Sequence, residues 1–333
     1  YEKYGNVREA AESLGMTPST FVRKRQKYTK NKRHEKMTDT LVRAVTTDGN
    51  FRAIAIDATE MMRKVATFHE ASQLGTTVLG RALLGSLMVS NAVLKGEERL
   101  AVVMDGNGPV GKIVVEASAQ GEVRGYVTNP TVELPLTAMG QQDVAGAVGN
   151  NGFLSVTKDF GEGEPFTGQV QLVTGEIGDD LTYYMAKSEQ IPSAVAVSVL
   201  VDPDGTVAAA GGFMISALPD AADEDITALE EKLAHVPAIS SQLLEGHAPM
   251  DLLANLFGKD NVKQLTTTEV SLYPEISKRE YERMLATLPM KDLQEMLDED
   301  HGVEVVDRFT GKKIQFDEAE LAGIIAAKDA EGL

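Results

Sequence analysis

Val123-Arg-Gly-Tyr-Val-Thr-Asn-Pro-Thr-Val-Glu-Leu-Pro-Leu136, Phe166-Thr-Gly-Gln-Val170 with Gly175-Glu-Ile-Gly178, and Leu181-Thr-Tyr-Tyr-Met-Ala-Lys-Ser-Glu-Gln-Ile-Pro-Ser-Ala194 decide how this chain is read. They carry strand-forming residues broken by glycine and proline, and no nucleophile beside a base, metal-ligand cluster or phosphate loop. Working outward, residues 51–56, 100–104, 112–117, 122–127, 153–158 and 168–172 read as strands. Residues 194–201 and 207–215 form a hairpin signal around Asp202-Pro-Asp-Gly205. Residues 59–94 are mainly helical, with Val78, Leu79, Ala82, Leu83, Leu87 and Met88 at helical spacing, and residues 180–189 read as a helix between strands.

Composition bounds the answer. The 333 residues are 43% hydrophobic but only 5% aromatic with no Trp, so about two domains with an aliphatic core are expected. Residues 1–36 carry six Lys and four Arg against four Glu, a net +6 within a total of −18, so the rest carries −24. That acidic body repels phosphate backbones and confines any nucleic-acid role to the first segment. The absence of Cys excludes disulfides and thiolate metal sites, and with no signal peptide it fits a cytoplasmic protein. Residues 82–94, the longest apolar helical run, are too few to span a bilayer, so no membrane partner is expected.

Three apparent sites fail on inspection. Gly106-Asn-Gly-Pro-Val-Gly111-Lys112 nearly spells a P-loop, but Ile113 stands where Ser or Thr would hold magnesium, and a strand follows. His69 has no partner marked by a motif and reads as structural. Lys187-Ser188-Glu189 contains no Ser-x-x-Lys and reads as a solvated helix end.

Residues 5–28 read as two helices joined at Gly15, with Thr17 as N-cap and Pro18 in the first turn. This pattern resembles the helix-turn-helix of Fis-type domains. Ser19, Thr20, Arg23 and Lys24 would face the groove, with Arg25 and Lys27 on phosphates. A basic helical hairpin without a site is the other reading.

The opening runs, with His69-x-x-Ser72 and Leu79-Gly80-Arg81, resemble the heat-shock protein 33 family of redox-regulated holdase chaperones, from Met37 to about Ala327. The resemblance implies an α+β fold: a body of sheets with packed helices, a helical linker and a small C-terminal α+β domain. The segments expected are 1–29 (helix-turn-helix-like), 30–36 (basic linker), 37–217 (body), 218–265 (amphipathic linker) and 266–333 (degenerate switch domain). In the linker Ile226, Leu229 and Leu233 form one apolar stripe, and Leu252, Leu253, Leu256 and Phe257 belong to a short apolar helix. The family's linker unfolds on activation, so these seven are the candidate client-binding residues.

The family also carries a four-cysteine zinc switch, a Cys-x-Cys ahead of a Ser-x-x-Glu helix and a Cys-x-x-Cys further on. Here Pro274, Ile276, Asp307 and Thr310 occupy those positions, a set that cannot bind zinc tetrahedrally. The tail must then rest on an apolar core drawn from Leu285, Leu288, Leu293, Met296, Leu297, Val305, Phe309, Ile314, Phe316, Leu321 and Ile324. The resemblance implies an ATP-independent, non-enzymatic holdase, homodimeric and binding unfolded clients, and the missing cysteines imply that it holds no cofactor and is not activated by cysteine oxidation. Heat or acid melting of linker and tail, constitutive activity, or slower methionine oxidation would replace the thiol switch. A DNA-binding stress regulator acting through residues 1–36, and a degenerate interaction protein, are the alternatives.

Overall fold

The computed structural model describes residues 38–331 apart from Glu162 and Glu275. The helix-turn-helix expectation for residues 1–29, with Ser19, Thr20, Arg23, Lys24, Arg25 and Lys27, and the basic linker 30–36 lie outside the described residues.

Two sheets enclose one helix. β1 (Thr40–Thr46) and β2 (Phe51–Asp57) form a hairpin through the Asp48-Gly49-Asn50 turn, where the Asn50 N–H donates to the Asp48 carboxylate at 2.9 Å. After α1 (Thr59–Phe68) comes α2 (Gln73–Val93), 21 residues long and buried from Leu74 to Gly80 and from Ala82 to Asn91. A helix apolar all round has to be buried all round. α2 fits between the five-stranded sheet on one side and the six-stranded sheet on the other. At Gly80 a Cβ would stand 2.8 Å from the Val199 side chain, so the Leu-Gly-Arg signature marks a close helix–sheet approach.

β3 (Arg99–Asp105), β4 (Ile113–Ser118), β5 (Glu122–Val127), α3 (Val144–Val148), β6 (Phe153–Asp159) and β7 (Phe166–Gln171) follow, then α4 (Gly178–Lys187) and the hairpin of β8 (Ser193–Val201) with β9 (Val207–Ala217). The linker supplies α5 (Asp223–Leu233), α6 (Ile239–Leu244) and α7 (Pro249–Phe257). β10 (Val262–Glu269) and β11 (Ser271–Leu272) return to the body, and α8 (Lys278–Leu285), α9 (Met290–Asp300), β12 (Gly302–Val306), β13 (Lys313–Asp317) and α10 (Glu318–Glu331) make the tail. The strand orders are β10-β1-β2-β9-β8 and β11-β5-β4-β3-β6-β7, antiparallel except for β11 on β5. Among the described residues no helix is long and apolar enough to cross a membrane.

Three apolar clusters follow from this order. The largest surrounds α2 between the sheets. The second lies on the opposite face of the five-stranded sheet, where Ala44, Phe51, Ala53, Ala55, Phe213 and Ile215 meet the linker helices. The third is the tail's own, formed by Tyr281, Leu285, Leu293, Ile314, Phe316, Leu321 and Ile324.

Several expectations change. The boundary expected at 265/266 falls inside β10, which pairs with β1 and so completes a body sheet from beyond the linker. Glu189 is not at a solvated helix end: its carboxylate accepts from Lys158 Nζ at 2.9 Å and from the Tyr184 hydroxyl at 2.5 Å. Only Lys187 of that triplet is exposed. The near P-loop is packed backbone to backbone, with the Gly108 N–H on the Val148 carbonyl at 3.0 Å.

Candidate functional site

The positions where the resemblance places zinc ligands meet where the tail docks on the body. Pro274, Ile276, Asp307 and Thr310 line one open cavity of about 210 Å³, together with His69 and Arg124.

Each side chain has a local reason to be there. Asp307 starts a tight turn: its carboxylate accepts from the Phe309 N–H at 2.9 Å and from the Thr310 hydroxyl at 2.7 Å. Its carbonyl accepts from the Gly311 N–H at 2.8 Å, and its own N–H donates to the Lys312 carbonyl at 2.9 Å. Asp and Thr in this spacing close a turn by themselves, as a metal would otherwise close it. Ile276 instead packs against the tail cluster, and its neighbour Ser277 caps α8, with the Glu280 carboxylate accepting the Ser277 N–H at 2.8 Å.

The turn is seated on the body by three contacts. Phe309, expected in the tail core, leaves it and stacks edge-on to Tyr126 at 5.4 Å, under the Arg124 guanidinium at 4.3 Å. Arg124 is itself fixed by Glu116, 2.5 Å away, and also covers Tyr273 at 5.3 Å. Gly311, with φ at +69°, comes so close to the end of α1 that a Cβ would lie 2.6 Å from the Phe68 carbonyl. His69, the C-cap of α1, faces the backbone carbonyls of Phe309 and Gly125, one from the tail and one from β5. Ser72, its partner in the sequence signature, is the N-cap of α2 and accepts from the Gly75 N–H at 2.9 Å.

The residues present do not fit zinc. Pro274 and Ile276 offer no donor atom, and both oxygens of Asp307 are already accepting hydrogen bonds. Among the described residues no three His, Cys, Asp or Glu are grouped to hold a metal.

Two predictions arise here. Asp307→Ala frees the Phe309 N–H and the Thr310 hydroxyl at once, a loss of about 2 kcal/mol. The expected result is about 30-fold faster amide exchange through 307–317 with unchanged exchange in α2. The second concerns acid. Burial pushes the His69 imidazole below its ordinary 6.5, against the Phe309 and Gly125 carbonyls and the Asp307 charge, which raise it. The undocked state therefore binds more protons just below pH 6.5, and docking is intact above that pH and weakens as pH falls through it. Asp39, raised by burial to about 6 at the start of α1, has the opposite sign: its share is intact below its ordinary 3.8 and lost as pH rises through 6. Acidification to pH 5.5 is thus expected to lower protection factors, which are corrected for the intrinsic rate at each pH, in the tail but not in β1 or α1, and His69→Gln is expected to remove the tail's response.

The linker candidates are brought together. Leu229, Leu252, Leu253, Leu256 and Phe257 are buried, and Ile226 and Leu233 pack beside them, all on the outer face of the five-stranded sheet. Sequence reasoning missed Arg124, Tyr126 and Tyr273 at the seam. The available signal was Arg124 and Tyr126 two apart on one strand, which places both on one face.

Residues 39–317 match the family described as Hsp33 protein. The chain belongs to the Hsp33 family. Its Hsp33 relatives include the 33 kDa chaperonin of Levilactobacillus brevis, 46% identical over 295 residues, covering 89% of this chain and all of the relative. That of Limosilactobacillus fermentum is 47% identical, covering 88% of this chain and all of the relative. The solved 33 kDa chaperonin (heat shock protein 33 homolog) of Thermotoga maritima superimposes with a TM-score of 0.81 at 36% identity, covering 88% of this chain and all of that one. Its mixed α+β fold is the one found here. Hsp33 is a chaperone family, which supports a chaperone function and binding of unfolded clients for this chain. Residues 2–28 separately match the Fis family of bacterial regulatory proteins, over that short segment alone.

Proposed function

We propose that the chain is an ATP-independent, non-enzymatic holdase whose apolar surface is released by heat, without cysteine oxidation or zinc loss. The observation that carries this is the seam: the positions of the expected ligands hold a self-bonded Asp307–Thr310 turn and the apolar Pro274 and Ile276. What fastens the tail is therefore packing and hydrogen bonding, both of which yield to temperature. The linker helices α5, α6 and α7 have 11, 6 and 9 residues, too short to persist in water without the sheet they cover. Their release bares two apolar faces, that of the helices and that of β1, β2 and β9 beneath.

The test is light scattering of an aggregating client with the full chain, preheated or not, with and without peroxide, and without nucleotide. Suppression after heating alone, unaltered by peroxide, is the expected result. Suppression that requires peroxide would overturn the reading. A homodimer in a cytoplasmic setting belongs to the same proposal, and light scattering on a sizing column measures the dimer.

The Fis-family match favours a second reading, in which residues 2–28 bind DNA and the body senses stress. Salt-dependent binding to duplex DNA that vanishes on deletion of residues 1–36 would support it. Equal behaviour of the two chains on DNA would end it.

A further inference from the structure

Residues 37–333 carry a net −24, yet three cations face one another on the five-stranded sheet with no carboxylate of the described residues paired to them. Strand register fixes their placement. Val45 on β1 pairs with Lys263 on β10 and with Arg52 on β2; Arg43, two residues from Val45 on the same face of β1, pairs with Thr266 across a register shift between Arg43 and Ala44. Directly paired residues and those two apart share a face. Beyond Arg52 the row continues to Ser216 on β9, whose hydroxyl already shares a hydrogen bond with Ser193.

Arg43 and Arg52 are half-buried, Lys263 is exposed, and among the described residues none of the three has an ion pair or a side-chain hydrogen bond. Burial lowers the Arg52 pKa, and the charge acting on it is Arg43, of like sign. A half-buried guanidinium beside another cation is costly unless an anion comes between them. Elsewhere this chain does supply acids to its arginines, as Glu116 to Arg124 and Glu176 to Arg81. At this place the described residues supply none.

We infer that Arg43, Arg52 and Lys263 form a binding site for a phosphate-type oxyanion, either free phosphate or the end of a short polyphosphate chain. Guanidinium forks match such oxygens in pairs, and an ammonium adds a point charge from the third strand. The three cations come from both sides of the linker. β1 and β2 precede α5–α7 and β10 follows them, so an occupied site ties β10 to the sheet and closes the segment that carries the linker. Binding to the folded form alone then raises the temperature at which that segment loosens.

The experiment is thermal unfolding of the full chain in potassium chloride, orthophosphate or tripolyphosphate at equal ionic strength, with ³¹P line broadening as a direct binding readout. The parent is expected to unfold at higher temperature in phosphate than in chloride, and Arg43→Gln/Arg52→Gln to lose that increment. A larger increment with tripolyphosphate identifies a chain end as the source, and an equal one identifies free phosphate. In chloride the double variant is expected to be at least as stable as the parent, because a repulsion has been removed. Lys263→Gln, at an exposed position, keeps the fold and is expected to weaken phosphate binding about tenfold. Equal increments in parent and double variant, a double variant less stable in chloride, or unchanged phosphate affinity in Lys263→Gln would each overturn the site.

Discussion

Replacing Phe316 with alanine is expected to unfold the tail, residues 278–331, while the body stays native. Phe316 is 1% exposed, the largest fully buried side chain of a cluster with only seven buried members, and Lys278 covers its ring at 4.9 Å. Phe→Ala in a packed core costs about 3–5 kcal/mol, and a core this small holds little more than that in reserve. A structural zinc would add roughly 10–16 kcal/mol of binding free energy, which this tail forgoes. Hydrogen exchange at 25 °C is expected to lose protection throughout α8, α9, β12, β13 and α10, with α2 unchanged. If the tail restrains the linker, client capture should then begin at a lower temperature than in the parent. Loss of protection in α2 at the same midpoint would show that tail and body unfold as one unit, contrary to the proposal.

How far the chain could be read in advance depended on whether a residue's partner was local. α2 was legible because its apolar spacing continues without a break, and the β8–β9 hairpin because Asp202-Pro-Asp-Gly205 names its own turn. β10 was not legible. Seven of its eight residues are exposed or half-exposed, without alternation, and it becomes a strand only because β1 offers an edge. The seam shows the same division. The four positions of the expected ligands were set by the family resemblance, and the Asp307 turn follows from local side-chain chemistry. Phe309 was misplaced because an aromatic beside a hairpin normally joins the nearest core. Arg124 and Tyr126, remote in sequence, compete for it and win. Glu189 was misjudged for a similar reason: the two donors to its carboxylate lie on β6 and within α4, and no pattern in 187–189 announces Lys158.

Asp180→Ala is expected to have the opposite consequence to Phe316→Ala, destroying the body instead of releasing the tail. The Asp180 carboxylate is fully buried and accepts from four backbone N–H groups: Val173 at 2.6 Å, Gly175 at 2.9 Å, Thr174 at 3.1 Å and Ile177 at 3.3 Å. It thereby holds the loop between β7 and α4, including Ile177 at φ +61°, a conformation that a β-branched residue adopts only under constraint. The neighbouring Glu176 reaches Arg81 on α2 at 2.5 Å, and α4 seats the fully buried Leu181 and Tyr184 against the central cluster. Alanine leaves buried donors without acceptors and removes the constraint on Ile177, a loss of about 4 kcal/mol or more. The main unfolding transition is expected to fall by about 10 °C. Asp180→Asn, of equal size but with one acceptor oxygen and an NH₂ aimed at other donors, is expected to recover less than half of that. Because the five-stranded sheet loses its support together with α2 and α4, this variant is expected to aggregate with a heated client instead of protecting it. A fall of under 2 °C would mean that the Asp180 carboxylate does not hold the body together, and protection equal to that of Phe316→Ala despite the full fall would mean that client capture does not need the ordered sheet beneath the linker.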